Sequence, residues 1–415
     1  MKAFESYLEE LRAAGQLRTL APMPHRGTEV AINDQWLINL SSNDYLGLAS
    51  HCPNTESIEK GDKAKERIPC PNHLHSSSSY SLSSSSSRLL TGSFPIYHEL
   101  EEAMEQSFGR PVLLFNSGYH ANIGILPALA TRRSLILSDR LIHASIIDGI
   151  RLSDAKHLRY RHNDYAHLEA LLEQHAAQHD RIFIVTESIF SMDGDVADLR
   201  RLVALKQRYD NAWLYVDEAH GIGVRGDNGL GVAEETETIG EIDLLVGTFG
   251  KALASMGAYV VCHEVVRKVL INRARSLIFA TALPPLCIAT TLHWWRLLPT
   301  LRGERTHLKA LADRLRQALR ARGLQTDGDS HIVPWTIGEN DDALAVATTL
   351  RRHGFNASAV RPPTVPPHTA RLRFSLTAAL TIDQLDRLIA LLPSGNRDVA
   401  TTPPLESANS NAPQP

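Results

Sequence analysis

The chain has 415 residues, with 43 lysines and arginines against 46 acids and a formal net charge of −3. That length predicts roughly two or three units of about 150 residues, and a content of 43% hydrophobic and 21% charged residues excludes a mostly disordered or fibrous protein. The near-neutral balance argues against nucleic acid as the main partner, since neutralising phosphates takes a basic excess on one face. No apolar run approaches the roughly 18–20 residues of a membrane span, so no membrane partner is expected. Cys52, Cys70, Cys262 and Cys287 lie far apart with no C-x-x-C pair. That spacing predicts no disulfide framework and no metal site, and a reducing, cytoplasmic setting.

Residues 1–50 open on MKAFESYLEELRAAGQLRTL, which carries three acids and three bases and has no apolar signal core. It reads as an amphipathic helix ahead of a β segment, not as an export signal. Residues 51–87 are irregular, and ten of the twelve residues 76–87 are serine. Composition alone reads this stretch as a flexible linker; the alternative is that Ser85–Arg88 opens an ordered loop. We expect order for the last few serines, and insertion or disorder for residues 52–75. A helix is predicted over Ile96–Phe108, with Leu100, Ala103, Met104 and Phe108 at helical spacing and Gly109 as its stop.

Residues 88–285 read as the large unit. Short apolar runs at Pro111–Phe115, Ser134–Ser138, Arg181–Thr186, Trp213–Val216, Asp243–Gly247 and Gly257–Cys262 alternate with helical patterns such as Tyr165–Gln178 and Asp198–Tyr209. This predicts an α/β fold with a mostly parallel sheet covered on both faces. Residues 286–393 read as a smaller α+β unit. It holds one long helical pattern over Leu286–Arg322, then strand (His331–Ile337), helix (Ala343–His353) and strand (Arg371–Thr377). The tail, residues 394–415, lacks apolar periodicity and is expected to be disordered.

In a parallel sheet ligands sit past the carboxyl ends of the strands, which directs attention to Ser117-Gly118-Tyr119, Asp139, Glu187, Asp217 and Thr248. Lys251 follows an apolar strand in the small-residue turn Thr248-Phe249-Gly250-Lys251-Ala252. Such a lysine is commonly a solvated charge, but a desolvated one has a lowered pKa and becomes a Schiff-base nucleophile. Asp217 ends another strand, with His220 three residues on. A metal pair, an acid/base pair and a cofactor clamp all remain open there, although no third ligand supports a metal. An aspartate paired with a later strand-end lysine suits pyridoxal 5′-phosphate (PLP), because the carboxylate keeps the pyridine nitrogen protonated. Gly118, at a strand–helix turn, suits a phosphate at a helix amino terminus, and Tyr119 suits an aromatic ring. Ser191 and His143 follow two further strands. Each alone reads as a turn or core residue, and their coincidence at one sheet end is what points to a site.

The ordered motifs SSNDYLGLAS (41–50), SRLLTGS (87–93), FNSGYHAN (115–122), DRLIHASIIDGI (139–150) and ESIFSMDGD (187–195) are followed by VDEAHGIGV (216–224), TFGKALAS (248–255), FATALPP (279–285) and RPPTVPPHTARLR (361–373). Together they resemble the α-oxoamine synthases, PLP enzymes with the fold-type I aminotransferase architecture, over roughly residues 36–392. The resemblance implies that Lys251 holds PLP and moves a proton at the substrate α-carbon, that Asp217 pairs with the pyridine nitrogen, and that His143 stacks on the ring. Gly118, Tyr119, Ser191, His220 and Thr248 match other PLP-contacting positions, and Thr281 a position reaching the phosphate of a neighbouring subunit in a homodimer. Arg18, Arg361 and Thr364 match substrate positions, and Arg373 the arginine that grips the amino-acid carboxylate, for which a guanidinium fork is suited. The implied reaction is condensation of L-alanine with a pimeloyl thioester, carried by coenzyme A or acyl carrier protein. Glycine with acetyl or succinyl thioester, serine with a long acyl thioester, and a PLP-binding protein without activity are the alternatives. The Ser-dominated segment at 52–87 departs from the family pattern.

Overall fold

The computed structural model describes residues 1–13, 16–17, 20–50 and 81–395. The expectations for Arg18, for residues 52–75 and for the tail beyond residue 395 lie outside the described residues.

An amino-terminal ribbon of β1 (His25–Arg26), β2 (Glu29–Ile32) and β3 (Gln35–Asn39) precedes the large sheet. That sheet contains β4 (Val112–Phe115), β5 (Ser134–Asp139), β6 (Lys156–Tyr160), β7 (Arg181–Glu187), β8 (Ala212–Asp217), β9 (Leu244–Thr248) and β10 (Ala258–Cys262). Its spatial order is β4-β10-β9-β8-β7-β5-β6. The pairs β6–β5–β7–β8–β9 are parallel, and β10 is antiparallel to both β9 and β4. Alternate residues of each strand enter two apolar layers. Leu113, Ile136, Phe183, Val185 and Val246 face one layer, and Leu114, Leu137, Ile184, Val216 and Leu245 the other. Burial on both faces is why these strands read as continuous apolar runs.

The reversal at β10 places Lys251. A parallel neighbour would need a long crossover, whereas residues 249–257 turn back directly at the carboxyl end of β9. Phe249 N–H donates to Gly257 C=O at 2.9 Å and Ser255 N–H to Phe249 C=O at 2.9 Å. Gly257 has φ 116°, and a Cβ there would lie 2.8 Å from Leu283 Cδ1, so the turn takes glycine. The loop therefore sits over the strand ends of Phe115, Glu187, Asp217 and Thr248.

The carboxyl-terminal part forms a second sheet from β11 (Ile332–Gly338), β13 (Ser358–Val360) and β14 (Ala370–Ser375), in the order β11-β14-β13, with the helix Asn340–Arg352 between β11 and β13. The intervening β12 (Phe355–Asn356) pairs in parallel with β3, joining the two ends of the chain. The single helical pattern expected over Leu286–Arg322 is two helices, Pro285–Leu297 and Arg302–Ala321. They are separated by the 3-10 turn Leu298–Thr300, where Pro299 cannot donate the helical hydrogen bond. β6 was not anticipated: its sequence, KHLRY, belongs to an edge strand with only Tyr160 buried.

The helix Pro95–Phe108 ends at Gly109 with φ 67°. The serines just before it are ordered: Ser84 Oγ donates to Ala282 C=O at 2.6 Å, and Ala282 N–H to Ser86 C=O at 2.9 Å. The first helix, Lys2–Ala13, leaves Phe4 and Tyr7 exposed and buries no residue. Among the described residues no helix is long and apolar enough to cross a membrane.

Candidate active site

Lys251 Nζ lies 2.9 Å from His220 Nε2, and His220 Nδ1 lies 2.7 Å from the Tyr45 hydroxyl. Tyr45 in turn donates to Asn43 Oδ1 at 2.9 Å. With the tyrosine proton committed to Asn43, His220 carries its proton on Nδ1 and presents the Nε2 lone pair to the amine. Burial pushes the imidazole well below its ordinary pKa, with the charges of Lys251 and Arg373 adding to the effect. Burial likewise lowers Lys251 to about 8, against the opposing pull of Asp217 and Glu187. An amine so placed is closer to its nucleophilic form near neutrality than a surface lysine.

A second hydrogen-bonded run fixes the acid. Asp217 Oδ1 accepts from Ala219 N–H and Oδ2 from Asn122 Nδ2, both at 2.9 Å. The same Asn122 amide reaches Ser145 Oγ at 2.9 Å, and Ser145 Oγ lies 2.7 Å from His143 Nδ1. Tyr215 holds the other side of the Asn122 amide. His143 caps the helix Ala144–Arg151, accepting from Ser145 N–H, and burial lowers its pKa. Glu187 is the register neighbour of Asp217. Burial first and the Asp217 charge second raise its carboxyl far above the usual range.

Gly118 begins the helix Gly118–Leu129, capped by Ser117 Oγ, which accepts from His120 N–H. A Cβ on Gly118 would stand 3.7 Å from Thr248 Cβ, so this helix amino terminus lies directly over the end of β9. Thr248 Oγ1 donates to Gly257 C=O at 3.0 Å. Arg373, on β14, donates from Nε to Ser191 C=O at 2.5 Å and from Nη1 to Ser375 Oγ at 2.6 Å. Among the described residues it forms no ion pair with a carboxylate, whereas its neighbour Arg371 pairs with Asp193.

The structure thus gathers Lys251, His220, Asp217, His143, Thr248, Gly118, Ser191 and Arg373 at one end of the sheet. Of the remaining sequence candidates, Tyr119, Thr281 and Thr364 are exposed. Tyr119 is 47% exposed with its hydroxyl on Asp148 Oδ2 at 2.5 Å. Thr281 is exposed, its carbonyl accepting from Asn116 Nδ2 at 2.6 Å. Thr364 is exposed in the turn that Arg361 begins. Tyr45, Asn122 and Ser145 were not singled out, although all three stand within the quoted motifs; Glu187 was marked only as a residue ending an apolar strand. Their contacts arise only when separate strands converge.

These residues fit PLP. An amine with depressed pKa faces the site, and a buried carboxylate carries one hydrogen bond per oxygen, leaving lone pairs for a ring N–H. A helix amino terminus beside a hydroxyl suits a phosphate.

Comparison with known proteins agrees. The family described as aminotransferase class I and II matches residues 36–392. A protein of Haemophilus influenzae (strain ATCC 51907 / DSM 11121 / KW20 / Rd), provisionally named an 8-amino-7-oxononanoate synthase, is 53% identical over 386 residues, which is 93% of this chain and 98% of that one. A Pasteurella multocida protein with the same provisional name is 50% identical over 94% of this chain and 98% of its own. Among solved structures, serine palmitoyltransferase from S. paucimobilis with a bound PLP–myriocin aldimine superposes with TM-score 0.83 at 27% identity, over 96% of this chain and 98% of that one. The 8-amino-7-oxononanoate synthase of Francisella tularensis gives TM-score 0.70 at 27% identity, over 88% and 98%. The chain belongs to the aminotransferase class I and II family, as a fold-type I, PLP-dependent acyltransferase of the α-oxoamine synthase group.

Proposed function

We propose that this enzyme condenses L-alanine with a pimeloyl thioester, releasing CO2 and the free thiol and forming 8-amino-7-oxononanoate, a step of biotin biosynthesis. The observation that supports this most is the 53% identity, across nearly the whole of both chains, to a relative provisionally named for that reaction. The thiol carrier is coenzyme A or acyl carrier protein, the setting cytoplasmic, and the active assembly a homodimer in which Thr281 of one subunit serves the site of the other.

PLP bound here supplies a ring that accepts negative charge from the α-carbon of the amino acid. In this reading Lys251 holds the cofactor and then carries the proton removed from that α-carbon. His220 keeps the amine oriented through its Nε2 lone pair. Asp217 holds a proton on the ring nitrogen, and Asn122 and Ala219 keep its carboxylate in place. His143 covers the ring face, and Gly118, Tyr119, Ser191 and Thr248 complete the cofactor contacts. Arg373 holds the alanine carboxylate, which leaves as CO2 after the α-carbon has bonded to the thioester carbon and the thiolate has departed. Arg18, Arg361 and Thr364 serve the acyl substrate. Its distal carboxylate needs a cation or amide donors, since burying it unpaired would cost several kcal/mol.

A second reading, serine with a long-chain acyl thioester, is favoured by the higher TM-score of the serine palmitoyltransferase structure, 0.83 against 0.70. Product identification by mass spectrometry separates the two. L-Alanine, glycine and L-serine are each offered with pimeloyl, heptanoyl, acetyl, succinyl and palmitoyl thioesters. The proposal expects 8-amino-7-oxononanoate as the dominant product, and kcat/KM for pimeloyl at least about tenfold above heptanoyl, because a site built for a carboxylate rejects a chain without one. A dominant product from serine and palmitoyl would replace it with the second reading.

A further inference from the structure

His162 sits between two acids that belong to different parts of the fold. Its Nδ1 lies 3.0 Å from Asp139 Oδ1, at the end of β5, and its Nε2 lies 2.7 Å from Asp195 Oδ2. Both ring nitrogens therefore face carboxylates, an arrangement that only the imidazolium, with two N–H donors, satisfies. Phe190 meets the ring edge-on, with centroids 4.5 Å apart. Asp139 is fully buried, and its oxygens also accept from Leu141 and Asn163 N–H. Tyr165, whose hydroxyl donates to Asn163, and Asp329, which acts on Asp195 through space, are the further titratable groups around this pair. Glu187 and Tyr160 lie beside Asp139, and the adjacent Arg161 is turned onto Asp164. Burial alone would lower the imidazole pKa; the bonds to Asp139 and Asp195 outweigh it and raise it to about 9.

The clamp matters because of the turn it holds. Residues 190–195 form a tight reversal, with Phe190 N–H on Asp195 C=O and Gly194 N–H on Phe190 C=O. Its far side meets β14: Asp193 pairs with Arg371, and the Ser191 carbonyl receives Arg373 Nε at 2.5 Å. One face of the turn is thus pinned by His162 and the other carries the arginine that faces the site.

We propose that His162 is a positioning residue: bridging Asp139 and Asp195, it fixes the Phe190–Asp195 turn and, through the Ser191 carbonyl, aims Arg373 at the α-carboxylate of the amino-acid substrate. This rests on the reading that Arg373 grips that carboxylate. It does not depend on which amino acid is used, since alanine, glycine and serine share the group.

The test is binding of L-alanine, glycine and L-serine to the PLP-loaded enzyme, followed by the visible absorption of the bound cofactor from pH 6.5 to 10. Wild type, His162→Gln and Arg373→Gln are compared. At pH 7 the His162→Gln protein should bind the preferred amino acid roughly tenfold more weakly, the ratio expected for one lost charge-assisted hydrogen bond, with kcat changed less than about threefold. Wild type should lose affinity near pH 9 beyond any change seen in His162→Gln, and adding His162→Gln to Arg373→Gln should cost little more. Should His162→Gln fail to fold, Asp195→Asn removes the same link from the turn side and serves as the reference for the pH profile. Weakened binding in Arg373→Gln with wild-type affinity and pH dependence in His162→Gln would overturn the inference. Unweakened binding in Arg373→Gln would instead overturn the reading beneath it.

Discussion

The Lys251 amine and the His220 ring meet at 2.9 Å across the ends of two adjacent strands, β8 and β9. Burial keeps the imidazole neutral and lowers the Lys251 pKa to about 8. The contact is therefore a lone pair holding an amine, and the neutral ring adds no charge to repel it.

This has a consequence for stability. In the cofactor-free protein Lys251 titrates at about 8, against 10.5 for an unperturbed lysine. Between those values the unfolded chain binds more protons, so the cofactor-free protein should gain stability as pH rises from 8 to 10.5. Below pH 8 the penalty is fully present. Lys251→Met should remove it and unfold at higher urea at pH 7, by roughly 1–3 kcal/mol, with a flatter pH profile. Urea titrations at several pH values measure this, and identical profiles for the two proteins would refute it.

Asp217→Asn should cost activity and some stability together. An amide nitrogen facing Asn122 Nδ2 leaves two donors opposed, and Asn122 cannot turn over without abandoning Ser145 and Tyr215. We expect a loss of roughly 1–3 kcal/mol and a kcat lowered by roughly 10²–10³ as the ring nitrogen loses its charged partner. Near-normal turnover would assign Asp217 a structural role only.

Gly118→Ala separates a fold requirement from a cofactor requirement. The added Cβ meets only Thr248, at 3.7 Å, an ordinary contact. Alanine is also the better helix former by up to about 1 kcal/mol. The cofactor-free variant should be at least as stable as wild type and yet release PLP faster on dilution, because the methyl group narrows the approach to the helix amino terminus. Unchanged release would place the phosphate elsewhere.

Behind the site, Arg88 makes a two-pronged bond to Glu101, at 2.7 and 3.1 Å, with side-chain exposures of only 12% and 9%. Glu101 also accepts Leu114 N–H, and the guanidinium lies over the Tyr97 ring. Arg88→Met strands a buried carboxylate and should lower stability by about 3–5 kcal/mol in urea unfolding. A loss under about 1 kcal/mol would mean that water reaches the acid.

The strands that carry the site were legible because burial on both faces makes them unbroken apolar runs, and the residues just beyond them, Asp217 and Thr248, mark their ends. The edge strand Lys156–Tyr160 was not, since its half-exposed surface tolerates charge. Pro299 marks the break between the helices Pro285–Leu297 and Arg302–Ala321, but the apolar spacing on either side continues through it. Tyr45, Asn122 and His162 carry no local signal of their own. Each acquires its partner from a segment dozens to more than a hundred residues away, so only the assembled sheet brings the bond into being. The same holds for β3 and β12, whose pairing joins residues about 317 apart in sequence.

Borohydride reduction of the PLP-loaded enzyme, followed by peptide mapping, tests the central assignment most directly. A single pyridoxyl group is expected, on the peptide containing Lys251, and none in Lys251→Met. A label on any other lysine, or none on the active wild-type enzyme, would contradict it.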